Sequence, residues 1–73
     1  MKTIDEAFQQ LVGAREDLKK FNSTLTLEQA TQIAVGDETT VEVFALRNTQ
    51  SMLLDSIMKA EQDYKNAKEA EAH

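Results

Sequence analysis

The chain has 73 residues with no cysteine, proline or tryptophan, two glycines, one histidine and a formal net charge of −5. A chain this short holds one core at most, so residues 1–73 read as a single small helical domain. Lack of cysteine excludes a disulfide scaffold, a zinc–thiolate site and a cysteine nucleophile, and no run approaches the about 18 apolar residues that a bilayer span needs.

Residues 1–6 lack the apolar stretch of a secretory signal, and together with the missing cysteine this sets a cytoplasmic protein as the expectation. Binding to nucleic acid needs a basic stripe that displaces counterions from phosphates. The one close basic group, Arg15, Lys19 and Lys20, has Glu16 and Asp17 among it, so nucleic acid is not an expected partner. The acidic excess is uneven: residues 1–36 and 47–73 each carry a net −1, and Asp37, Glu38 and Glu42 supply the remaining −3. These three form a candidate acidic patch for a basic partner. The competing reading places them at a helix start, where carboxylates interact with the helix dipole.

In chain order, Thr3-Ile4-Asp5-Glu6 reads as a capping box, with the Thr3 hydroxyl accepting from the Glu6 amide and Glu6 reaching back to the Thr3 amide. Ile4, Phe8, Leu11 and Leu18 then recur at helical spacing, with Arg15 in the intervening place, and predict a helix over 4–21. Val12 and Phe21 widen the stripe. Gly13 costs such a helix about 1 kcal/mol against alanine. The turn-forming Asn22-Ser23-Thr24 ends it.

The middle supports two readings. Thr26-Leu27-Glu28-Gln29 resembles a second capping box, with Leu25 set to staple onto Ala30, and predicts a short helix over 27–35 stopped by Gly36. Ile33-Ala34-Val35 and residues 39–44, which are rich in threonine and valine, instead suit a small β-hairpin at 31–45, giving an α+β fold. The caps and the glycine agree with one another, which favours the helix.

The last segment carries the longest pattern. Val43, Leu46, Gln50, Leu53, Ile57, Ala60, Tyr64, Ala67 and Glu71 alternate steps of three and four, predicting one helix over 39–71. That rod is about 50 Å long against about 27 Å for the first helix. The expected fold is therefore all-α, an antiparallel hairpin of 4–21 on 39–71 with the short helix 27–35 at its tip. Its packing seam comprises Ile4, Phe8, Leu11, Leu18, Val43, Leu46, Leu53, Ile57 and Tyr64. Gln50 inside the seam either fixes register or faces outward where the helix leaves the contact. Arg15 covers apolar surface with its stem while its head stays wet.

Two helices cannot cover all sides of each other, so Val12, Phe44, Leu54 and Met58 are expected to stay partly wet and form a candidate partner face. A chain with about 20 large apolar side chains rarely gains more than about 3–5 kcal/mol from its own core. Self-association is the usual remedy, and a homodimer closing a four-helix bundle is the expected state. The rival is a compact three-helix monomer.

Candidate groups for chemistry are few. His73 sits at a fraying helix end with Glu69 as its only helical neighbour of ligand type, so neither a metal site nor a general base follows. Adjacent acids on a helix point about 100° apart and form no catalytic dyad. No phosphate loop or calcium-loop spacing occurs. The expectation is a non-enzyme without a catalytic, metal or cofactor site. The acidic balance also disfavours a membrane-surface helix.

Three functions remain: a protein-interaction module, such as a small helical adaptor or assembly factor acting as a homo-oligomer and binding another protein; an acidic inhibitor of a nucleic-acid-binding protein; and a structural subunit of a larger assembly. The apolar stripe with Met52, Leu54 and Met58 supports the first. Only the net charge and residues 37–42 support the second.

Overall fold

The computed structural model describes residues 2–37 and 40–72, and Met1, Glu38, Thr39 and His73 lie outside the described residues. The described chain forms three helices, α1 (Ile4–Thr24), α2 (Leu27–Ala34) and α3 (Val41–Glu71). α1 packs along α3 as an antiparallel hairpin, with α2 between them in sequence and resting on the start of α3. Among the described residues there is no strand, which removes the β-hairpin alternative at 31–45.

Each helix begins at a threonine in extended conformation whose hydroxyl accepts a backbone N–H three residues on. At α2 the capping box is complete: Gln29 N–H donates to the Thr26 hydroxyl at 3.1 Å, and Thr26 N–H donates to Gln29 Oε1 at 2.9 Å. At α1 half of the expected box forms. Glu6 N–H donates to Thr3 Oγ1, but the Glu6 carboxylate accepts the Thr3 hydroxyl instead of reaching the Thr3 amide. Thr40 caps α3 through Val43 N–H, so that helix starts at Val41; the expected start at 39 lies outside the described residues.

α1 runs three residues beyond the expected stop at Phe21. Ser23 and Thr24 turn their hydroxyls back onto the carbonyls of Lys20 and Phe21, both at 2.7 Å, and Leu25 N–H donates to the Asn22 carbonyl. Side chains expected to break the helix satisfy its last acceptors instead. α2 ends one residue early, with Val35 as its C-cap. Gly36 follows at φ +73°, and Gly36 N–H and Asp37 N–H donate to the Ile33 and Gln32 carbonyls. That pair of bonds is a Schellman stop, which needs the left-handed backbone that glycine adopts without strain.

The seam of α1 keeps Ile4, Leu11 and Leu18 from the expected row, with Ala7 and Ala14 in the places between them. Ile4, Ala7, Leu11, Ala14, Leu18, Phe21 and Leu25 are all buried or half-buried, at alternating steps of three and four. Phe8 and Arg15, expected on that line, are exposed. On α3 the row Val43, Leu46, Gln50, Leu53, Ile57, Ala60, Tyr64 and Ala67 is buried or half-buried, and Glu71 is exposed. The centre of the contact is Leu11, Ile57 and Ala60, with Ala14, Leu18 and Tyr64 packed around it. Ala7 and Ala60 are fully buried, whereas among the described residues no large side chain is. Alanines at the crossing hold the helices close and leave the larger side chains at the rims.

Polar contacts mark both ends of the pairing. Lys2 Nζ lies 3.2 Å from Asp63 Oδ2 and also donates to Gln10 Oε1, joining the start of α1 to α3. At the closed end, Gln50 Nε2 donates to Asn22 Oδ1 at 3.1 Å. Gln50 therefore stays in the seam, half-buried, and meets the last turn of α1.

By residue count α1 is about 31 Å long and α3 about 46 Å, so about 15 Å of the rod extends beyond its mate. α2 meets part of that overhang: Gln29 Nε2 donates to Glu42 Oε1 at 2.9 Å near the buried Val43. The result measures 51 × 17 × 15 Å with a radius of gyration of 15.5 Å, against about 11 Å for a compact chain of this length.

Candidate interaction face

Because the α1 seam runs through Ala7 and Ala14, the neighbouring row with Phe8 and Arg15 turns onto an open side of the hairpin. There it meets the side of α3 that carries Met58, Glu61 and Lys65. These residues, with Leu11 and Tyr64 at the floor, line an open groove of about 660 Å³. Phe8 is 46% exposed and Met58 67% exposed. Leu54 stands one turn before Met58 on α3, 45% exposed, and Phe44 continues the same side, roughly 40° from Met58 around the helix axis. Val12 is half-buried at the α1 border.

Tyr64 carries the aromatic contacts of the groove floor. Its ring centroid is 5.9 Å from that of Phe8 at an interplanar angle of 51°, and Lys68 Nζ lies 5.4 Å from the Tyr64 centroid. A tilted aromatic pair with a cation over one ring is favourable, and it fixes the position of Phe8 at the rim. The groove is open along its side and rimmed by Arg15, Glu61 and Lys65. Its form suits a row of side chains from another helix better than an enclosed small molecule.

The expected stripe of Met52, Leu54 and Met58 divides. Met52 is 70% exposed but lies roughly 120° around α3 from Met58, on the side shared with Val41. Leu27 on α2 and Val35 at its C-cap are exposed, apart from the groove residues.

Of the three acidic positions, Asp37 and Glu42 are described. Glu42 occupies the first turn of α3 and accepts from Gln29, which matches the dipole reading and also ties α2 to α3. Asp37 supplies the second amide of the Schellman stop, and Glu38 lies outside the described residues. His73 does too.

Among the described residues no three His, Cys, Asp or Glu side chains are grouped to hold a metal ion, and no helix is long and apolar enough to cross a membrane. Phe8, expected inside the seam, stands at its rim against Tyr64, and Arg15 is exposed, in keeping with a head that stays wet. The signal that locates them was the unbroken three-and-four row through Ala7 and Ala14. Comparison with known proteins finds no matching family model, no matching curated protein and no matching solved structure.

Proposed function

We propose that this protein is a non-enzymatic interaction module, a small cytoplasmic helical adaptor or assembly factor that works by burying the Phe8–Leu54–Met58 face against another apolar helical surface. The single observation that carries this reading is the division of side chains between α1 and α3. The fully buried seam positions are Ala7 and Ala60, while Phe8, Leu54 and Met58 stay exposed on one open side. A protein that used these residues only for its own core would turn them inward, since each fully buried large apolar side chain contributes about 1.5–3 kcal/mol. Contiguous exposed apolar surface with a charged rim marks association.

The test is affinity capture from lysate with the wild-type chain and with Leu54→Asp and Met58→Asp, at about 50 and about 300 mM salt. Association that survives the higher salt and is lost in both variants, with helical circular dichroism unchanged, is the expected result. Association that collapses with salt and ignores both substitutions contradicts it, and points to exposed charge instead.

A further inference from the structure

We infer that the occupant of this face is a second copy of the chain, with the two α3 helices antiparallel about a twofold axis at Leu54; the inference rests on the interaction-module reading and names its partner. The first argument is area. The chain exposes 5460 Å², whereas a folded monomer of 8.2 kDa exposes about 4500 Å². The excess of about 950 Å² is of the same size as the about 800 Å² that each partner gives to a standard interface.

The second argument is charge complementarity. Arg47, Leu54 and Glu61 follow one another at steps of seven, so they share one line along α3. An antiparallel twofold at Leu54 sets Arg47 opposite Glu61 of the partner subunit, and the symmetry repeats that pairing at the other end. A parallel pairing would set arginine on arginine and glutamate on glutamate. The five donors of a guanidinium let Arg47 keep its contact within its own chain while meeting a second carboxylate.

The third argument is continuity of the apolar surface. Tyr64, which carries Phe8, lies roughly 80° around α3 from Leu54, and a twofold axis at Leu54 brings this flank of both copies to the same side of the contact, so Phe8, Leu54 and Met58 are covered together. Phe44, roughly 80° from Leu54 in the other direction, stays at the outer edge of the interface. Two hairpins joined this way make a four-helix bundle with an isologous interface.

The experiment is sedimentation of the full chain at about 10–100 μM, with circular dichroism as the control for folding. Twice the chain mass is expected, reduced to one chain mass by Leu54→Asp or Met58→Asp with helicity retained. Arg47→Glu and Glu61→Arg are each expected to weaken the dimer about tenfold, and the double variant to recover most of the loss. Spin labels at residue 65 should lie about 33 Å apart along the bundle, because that position is eleven residues from the axis on each copy. A folded monomer at about 100 μM, a dimer indifferent to both aspartate variants, or labels at residue 65 in close contact overturns the inference. If the chain is monomeric yet still captures another protein through Leu54 and Met58, the second copy is wrong and the interaction reading stands. If that capture fails too, both fall.

Discussion

Gly13 and Gly36 are the same residue under opposite demands. Gly36 sits at φ +73° and closes the stop of α2, a conformation that costs an L side chain about 1–2 kcal/mol. Gly36→Ala should destabilise the protein by about that amount in urea unfolding at fixed protein concentration. Gly13 lies inside α1, and a Cβ built there has no neighbour within 4 Å. It carries the entropic penalty of glycine without a packing reason, so Gly13→Ala should stabilise by about 1 kcal/mol in the same measurement. An unchanged midpoint for Gly13→Ala would mean that α1 is frayed there before unfolding. Thr26 belongs at this scale as well. Its hydroxyl and its amide both serve the α2 capping box, and Thr26→Ala should cost about 1 kcal/mol, seen first as faster amide exchange in α2.

Between elements, the decisive residues are the small ones. Ala60 has no exposed surface and lies where α3 meets Leu11 of α1. Ala60→Leu should force the helices apart and cost about 1–3 kcal/mol, while Met52→Ala, on an exposed side of the same helix away from the groove, should stay within about 0.5 kcal/mol. Equal effects from the two would show that the α1–α3 crossing is loosely packed. The same residues explain what could be read in advance. The α3 seam was legible because large apolar side chains recur along it from Val43 to Tyr64. In the α1 seam Ile4, Leu11 and Leu18 were legible for the same reason, whereas Ala7 and Ala14 were not, because a reading based on bulk passes over alanine in favour of the neighbouring Phe8 and Arg15. Caps at Thr3 and Thr26 and the stop at Gly36 were legible from residue chemistry alone. The last turn of α1 was not, because serine and threonine either break a helix or bond back to its carbonyls, and local sequence does not say which. Of the candidate face, Leu54, Met58 and Phe44 were accessible from periodicity. The contribution of Phe8 depended on how the two helices are rotated against each other.

At the scale of the molecule, a rod of about 46 Å lies beside one of about 31 Å, and neither the shorter helix nor α2 covers the side that bears Leu54 and Met58. The elongated outline, with a radius of gyration of 15.5 Å, follows from that geometry. A core reduced to Leu11, Ile57, Val43 and alanines gives little stability to an isolated chain of this size. Covering the open face is therefore expected to add much of the native stability, leaving a folded but less stable hairpin when association is broken. The most direct measurement is the thermal unfolding midpoint of the wild-type chain across about a hundredfold range of protein concentration. If the exposed side of the hairpin is closed by a second copy, mass action raises the midpoint by about 10 °C over that range. A midpoint that does not move with concentration, in a chain whose helices are formed, would mean that the hairpin is stable alone.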